Sequence, residues 1–188
     1  MRVETQNKKW SLLVTNISEK MRVKHFDGAG SQSGDEIVFD QKSVGFSAAM
    51  DFLTDRLIGF RGVFDYESFS GKDSQTFLTC PSFSETQCDV NISYLGLGLF
   101  SRLNLNQSPF QYWFGLGVNL KYPLSKKASA LAESDIGTTS SYSIAVGADF
   151  SINSRYFIPV SLEQQFFLNS ESVHTEMTIV KVGFGNFF

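Results

Sequence analysis

Large apolar residues alternate with small or polar residues over most of this sequence. The clearest stretch runs from Phe110 to Tyr122, where Phe, Tyr, Leu and Val alternate with Gln, Trp, Gly, Asn and Lys. A period of two is typical of a β-strand whose two faces meet different surroundings. The same pattern predicts eight strands, at Lys9–Lys24, Ser43–Leu53, Ile58–Glu67, Val90–Asn104, Phe110–Tyr122, Tyr142–Ile152, Tyr156–Leu168 and Thr178–Phe188.

The first predicted strand is the least regular, because its alternation changes phase near Asn16. A β-bulge inserts one extra residue into a strand and shifts its faces in this way. We therefore expect a bulge close to Asn16.

The connections between the predicted strands follow a second regularity. Strands 2 and 3, 4 and 5, and 6 and 7 are joined by short turns, whereas the other four connections are longer and polar. The long ones are Asp27–Gln41, Ser70–Asp89, Ser125–Ser140 and Asn169–Thr175. Short turns at one end and long loops at the other are typical of an up-and-down outer-membrane barrel, and both termini would lie at the short-turn end.

The size of the residues indicates which face points outward. Eight strands enclose a lumen only just wide enough for side chains, and the large apolar face would overfill it. The small and charged face therefore points inward, and the apolar face meets lipid. The predicted fold is an all-β, eight-stranded antiparallel up-and-down transmembrane β-barrel in a single domain, with residues 9–188 in the barrel and 1–8 as a flexible N-terminus. The opposite orientation would describe a soluble lipocalin-like ligand carrier.

The inward face carries a nearly neutral set of charges, with four cations against five anions. This balance predicts a packed polar interior rather than a selective pore. Glu163 and Lys181 lie at similar heights on strands 7 and 8, so we expect them to form an ion pair. The interior charges are Asp51, Arg61, Asp65, Glu67, Arg102, Lys121, Asp149, Glu163 and Lys181.

Several aromatic residues lie near the predicted strand ends, where tyrosine and tryptophan favour the boundary between lipid and water. These positions predict two girdles of interfacial aromatic residues around the barrel. The members are Trp10, Tyr66, Tyr112, Tyr122, Tyr142 and Tyr156.

The last predicted strand ends the chain on an aromatic residue, with apolar residues at alternate positions before it. Val180, Val182, Phe184 and Phe188 follow this pattern, and Asn186 departs from it. The chain thus resembles the OmpA/OmpX-like family of bacterial outer-membrane barrels, in which the last strand carries an assembly signal.

The resemblance implies a bacterial outer-membrane location and a monomer without enzymatic activity or cofactors. It also implies contact with the lipid bilayer and lipopolysaccharide, with the outer-membrane assembly machinery, and with a surface receptor through the long loops. Envelope integrity, adhesion or interaction with the host or environment would be the function. Met1–Lys9 lacks an apolar signal peptide, so we expect that one was removed.

The net charge and the two cysteines indicate which partners and which covalent link to expect. The formal net charge of −3 argues against a nucleic-acid partner. Cys80 and Cys88 share one long loop, and in an exported protein they predict a disulfide worth roughly 2–3 kcal/mol. We expect no metal site, since that loop contains no histidine.

Two alternative functions remain open. Ser172, His174 and Glu176 share one face of the last strand, and this set loosely resembles the nucleophile sets of outer-membrane barrels that trim lipid A. Acyl transfer needs Ser and His in hydrogen-bond contact, which alternate residues of one strand meet only marginally. The alternatives are a lipid-modifying enzyme and a narrow channel.

Overall fold

The computed structural model describes residues 8–23, 37–53, 57–72, 89–106, 109–128, 136–168 and 173–188. Eight strands account for nearly all of these residues. They are β1 (Lys8–Val23), β2 (Ile37–Leu53), β3 (Ile58–Lys72), β4 (Asp89–Asn104), β5 (Phe110–Ala128), β6 (Thr139–Ser151), β7 (Tyr156–Phe167) and β8 (Val173–Phe187). No helix in the described part of the chain is long and apolar enough to cross a membrane.

Each strand pairs with its neighbour along the chain, and β1 pairs with β8 to close the barrel. All eight pairings are antiparallel. The closing ladder begins at Lys9 opposite Phe187, and the backbone N–H of Phe188 donates to the carbonyl oxygen of Lys8 at 3.0 Å. The predicted fold class is confirmed.

Four strands extend at least five residues further than the sequence pattern predicts. β2 begins at Ile37 rather than Ser43 and β8 at Val173 rather than Thr178, whereas β3 ends at Lys72 rather than Glu67 and β5 at Ala128 rather than Tyr122. The exposed side chains of the added residues are mixed in character, since Asp40, Lys42 and Ser70 are polar and Leu124 is apolar. Alternation of apolar and polar residues marks only the part of a strand that meets lipid.

The prediction of a bulge near Asn16 was wrong. The β1–β2 ladder runs without a register shift from Lys8 to Val23, and inward residues alternate regularly through Leu13 and Ile17. These two side chains are apolar and still point inward, which produced the apparent change of phase. The register shifts instead between Ser93 and Tyr94, where Tyr94 lies opposite Pro123. Proline has no N–H to donate to a ladder, which makes this position suited to an irregularity.

The outer wall is apolar and the interior holds the charges. Large side chains such as Phe46, Leu97, Val118 and Leu162 are exposed on the outside, whereas Asp51, Arg102 and Lys121 are 1% exposed. This arrangement suits a barrel whose outside meets hydrocarbon, because charged groups on the lipid face cost several kcal/mol at the centre of a bilayer.

Candidate functional site: the charged interior

A cluster of five charged side chains fills the barrel near the end that carries both termini. Arg61 donates to Asp51 through Nε at 2.7 Å and through Nη2 at 2.9 Å. Arg102 reaches Asp51 at 3.4 Å and Asp149 at 2.5 Å, and Lys9 also pairs with Asp149. These ion pairs link five strands, β1, β2, β3, β4 and β6, across the lumen. We call these five residues the lower cluster.

Trp113 lies against the lower cluster, between two of its guanidinium groups. The Arg61 and Arg102 carbons Cζ lie 4.4 Å and 4.7 Å from the centroid of the Trp113 ring. A cation over an aromatic face is stabilised by about 0.5–2 kcal/mol, most when water is excluded. The tryptophan has room because Gly147 faces it: a Cβ atom on Gly147 would lie 2.5 Å from the ring.

An apolar layer lies next to the lower cluster. Its buried members, which pack together, are Leu13, Ala49, Val63, Phe100, Trp113 and Ala145. The cavity beside this layer is about 10 Å³ in volume, about the space that one water molecule needs. The interior is therefore not filled by glycines and ions alone: apolar rings and side chains close the middle of the barrel.

A second group of charges lies beyond the apolar layer. Lys181 Nζ is 3.0 Å from Glu163 Oε2 and 3.3 Å from Asp65 Oδ1, so the expected pair of Glu163 and Lys181 is present in the structure. Glu163 also accepts a hydrogen bond from Gln165 at 2.8 Å, and Ser47 donates to Asp65. Lys181 therefore has two charged partners, whereas Glu163 and Asp65 each have one charged partner and one neutral hydrogen-bond donor.

A third group lies nearest the end opposite the termini. Lys121 pairs with Glu67, and its Nζ lies 3.4 Å from the Met177 sulfur and 5.3 Å from the centroid of the Phe167 ring. Glu19 is buried in the same interior. Carboxylates outnumber ammonium groups here.

Sequence reasoning missed two interior charges, Lys9 and Glu19. Lys9 could have been found, since it precedes the outward residue Trp10 by one position. Glu19 was hidden by the supposed bulge near Asn16. With them, the described residues of the interior include five buried cations, Lys9, Arg61, Arg102, Lys121 and Lys181, and six buried anions, Glu19, Asp51, Asp65, Glu67, Asp149 and Glu163.

The six predicted interfacial aromatic residues all face outward and are exposed. Tyr66 and Tyr122 lie in one row of paired residues through Leu95, and Tyr142 stacks on Phe166 at 5.2 Å between ring centroids. Trp10, Tyr112 and Tyr156 lie toward the other end of the wall. Their contact with the lipid–water boundary stays a prediction.

The residues of the predicted assembly signal also face outward. Val180, Val182, Phe184 and Phe188 are 43–51% exposed along the outer side of the last strand. Outward side chains on one strand are accessible to another protein before the barrel is surrounded by lipid. Recognition by assembly machinery stays a prediction.

The remaining candidate chemistry is sparse. Cys80, Cys88 and Ser172 lie outside the described residues. His174 Nε2 lies 3.8 Å from Glu176 Oε1, with both side chains more than half exposed. Among the described residues, no group of three or more His, Cys, Asp and Glu side chains could hold a metal ion.

The closed antiparallel barrel, its apolar exterior and its charged interior define the fold class of small outer-membrane barrels. No family model matches the chain, and no curated protein matches it in sequence. Solved structures do match. The outer membrane protein OprG from Pseudomonas aeruginosa is 13% identical, with a TM-score of 0.60 over 96% of this chain and 97% of that one.

Two further structures show the same likeness. Neisserial surface protein A is 10% identical, with a TM-score of 0.57 over 95% of this chain and 97% of that one. The outer membrane protein AlkL, solved in lipid bilayers, is 11% identical, with a TM-score of 0.58 over 96% and 89%. At these identities the likeness establishes the fold, and this fold places an apolar wall in contact with a lipid bilayer.

Proposed function

We propose that this chain is a non-conducting barrel of the bacterial outer membrane that presents its long connections at the cell surface. Its function would be structural or adhesive: envelope integrity, or contact with a receptor on a host or in the environment. The observation that carries this proposal is the closed interior. Ion pairs and apolar side chains leave a cavity of about 10 Å³ beside Trp113 and Phe100, so no continuous path for hydrated ions is available there.

The distribution of connections supports a surface role. At the end with both termini the strands are joined by residues 54–57, 105–109 and 152–155. At the other end, residues 24–36, 73–88, 129–138 and 168–172 join them. The last of these, which the sequence pattern predicts to be long, has five residues and is no longer than 105–109. Binding residues are found disproportionately on loops that a rigid scaffold holds in place. The periplasmic assembly machinery and lipopolysaccharide are the further partners that we propose for a monomeric barrel of this kind.

We propose no catalytic step for the chain. The described part of the His174 environment supplies an exposed carboxylate, Glu176, and neither group is held in a cavity. Acyl transfer depends on preorganised donors for the developing oxyanion in a site from which water is excluded. The His174→Ala variant should leave the lipid A composition of an expressing strain unchanged, which mass spectrometry of extracted lipid A measures.

Conductance in planar lipid bilayers tests the closed barrel. We expect the purified protein to insert without producing current steps, under conditions where a water-filled porin does. Regular current steps from the wild-type protein would contradict the proposal and favour the narrow channel.

A second measurement tests the surface role. Residues 24–36 and 73–88 are replaced by short Asn-Gly turns, and the binding of expressing cells to host cells and to abiotic surfaces is compared. We expect the barrel to assemble and binding to fall to the level of cells that lack the protein. Unchanged binding would contradict a role of these two connections.

A further inference from the structure

The apolar surface is unequal in height around the barrel. Val14 on β1 begins a row of paired outward residues that continues through Phe46, Tyr66 and Leu95 to Tyr122. Beyond this row the exposed apolar surface continues on β5 with Leu124. β1 lies on the opposite side of the barrel from β5. Its outward residues become polar directly after Val14.

Basic residues occupy this polar part of the outer wall. Above Val14, the outward residues of β1 are Asn16, Ser18, Lys20 and Arg22, and all but the half-buried Ser18 are exposed. Lys42 of β2 lies opposite Ser18 and is also exposed. Alternate residues of one strand lie about 7 Å apart and diagonal neighbours about 7–8 Å. We call Lys20, Arg22 and Lys42 the basic ledge.

The surroundings leave two of these cations without an acidic residue opposite them. Lys20 lies between Asp40 and Glu176 in the ladders, whereas Arg22 lies opposite Val38 and His174. Lys42 lies opposite Ser18, and no ion pair between described residues includes any member of the ledge. Three cations of the ledge thus share this part of the wall with two exposed carboxylates, Asp40 and Glu176, which leaves an excess of one positive charge.

The outer wall of the neighbouring strands differs from the ledge. Ser70 on β3 and Asn91 on β4 are exposed above the apolar surface, and both are uncharged. Lys127 of β5 is exposed opposite Asn91, above the tallest part of the apolar surface, whereas Lys126 is half-buried opposite the buried Ile92. Basic residues directly above a short apolar wall are thus particular to β1 and β2.

We propose that the basic ledge binds the phosphate groups of an anionic glycolipid of the lipid A class in the outer leaflet. Guanidinium and ammonium groups form charge-assisted hydrogen bonds with phosphate, and arginine does so through two parallel bonds. The acyl chains of the same lipid lie along the apolar wall below, at Val14 and Val44. The site rests on the proposed outer-membrane location and adds to it a defined lipid and a defined place.

The test compares two variants that each remove two positive charges. Lys20→Gln with Lys42→Gln alters the ledge, and Lys8→Gln with Lys127→Gln is the control, because it removes two exposed lysines that lie outside the ledge. Each protein is placed in phosphatidylcholine nanodiscs that contain diphosphoryl lipid A, and the lipid A retained after transfer to detergent is measured by native mass spectrometry. We expect affinity to fall about tenfold or more in the ledge variant and to remain at the wild-type level in the control.

Two probes identify the chemistry that is recognised. Lipid A without phosphates should bind the wild-type protein as weakly as diphosphoryl lipid A binds the ledge variant. Inorganic phosphate at millimolar concentration should not displace the lipid, because it lacks the acyl chains. Displacement by inorganic phosphate would instead indicate a phosphate site that is independent of lipid, and would overturn the proposal.

Equal retention by the wild-type protein and the ledge variant would also overturn it, as would an equal loss in both variants. Circular dichroism checks that each variant has folded, and Arg22→Gln alone provides a second test if the double variant does not. Lipid retention is measured independently of conductance. A conducting barrel would therefore contradict the proposed function without contradicting lipid A binding at the ledge.

Discussion

Removing the ammonium group of Lys181 tests how strongly the interior ion pairs stabilise the barrel. Its Nζ lies 3.0 Å from Glu163 and 3.3 Å from Asp65, and the side chains of all three are 3–5% exposed. The substitution Lys181→Met keeps an unbranched chain of similar length and leaves two buried carboxylates without their cation. Removing one partner of a buried pair costs about 3–5 kcal/mol, because the other charge stays buried. We expect the free energy of unfolding to fall by that amount.

A second substitution separates this effect from lost packing. Adding Glu163→Gln to Lys181→Met removes one of the two stranded charges, while Asp65 keeps the hydrogen bond from Ser47. The double variant should be more stable than Lys181→Met alone by about 1–3 kcal/mol, the size of coupling found between contacting residues. Lys127→Met removes an exposed lysine and should change stability by less than about 0.5 kcal/mol.

Urea-induced unfolding in lipid vesicles, followed by tryptophan fluorescence, measures all three variants. A loss below about 1 kcal/mol for Lys181→Met would refute the reasoning. So would a double variant that is no more stable than the single one.

Three further predictions concern the packing, the lipid face and the last residue. Gly147→Ala should destabilise the barrel by about 1–3 kcal/mol, because the added Cβ would lie 2.5 Å from the Trp113 ring and 2.7 Å from a carbonyl oxygen. Gly62→Ala is the control, since a Cβ there meets no atom within 4 Å. Equal losses of stability for the two variants in urea unfolding would contradict the prediction. Leu99→Arg should lower the free energy of unfolding in lipid vesicles by about 2–4 kcal/mol, because a charged side chain would replace an apolar one on the lipid face. An unchanged unfolding midpoint would show that Leu99 does not face hydrocarbon. Deleting Phe188 should slow insertion in the presence of the assembly machinery and leave folding into pure lipid unchanged; equal insertion rates for both proteins would argue against a terminal signal.

The fold could be predicted because one physical rule acts on every strand that crosses lipid. Outward positions such as Leu116, Val118 and Leu120 must be apolar, and inward ones such as Gly117 and Asn119 must fit a narrow lumen. The ion pair of Glu163 and Lys181 could be predicted for a related reason, since a regular ladder fixes which residues of adjacent strands lie at one height.

The exceptions arise where the rule does not act. Leu13 points inward into the apolar layer, where Ala49 and Ala145 are small, and Ile17 points inward against Met177 and Ile179. The apolar character of such a residue does not by itself assign it to the inner or the outer face. Beyond the lipid both faces of a strand meet polar surroundings, so the alternation fades and the outer parts of β2, β3, β5 and β8 were missed. The cross-lumen contact of Lys9 with Asp149 depends on side-chain reach, which the sequence pattern does not encode.

The pairing of the first strand with the last has a consequence for biosynthesis. The backbone N–H of Phe188 donates to Lys8, and Lys9 lies opposite Phe187, so β1 and β7 both keep an unpaired edge until β8 is in place. A chain truncated by one strand also lacks Lys181, and then Asp65 and Glu163 lose their shared counter-ion. Closure of the barrel therefore depends on β8 in two ways: its backbone completes the hydrogen-bonded ladder with β1, and its Lys181 neutralises two buried carboxylates.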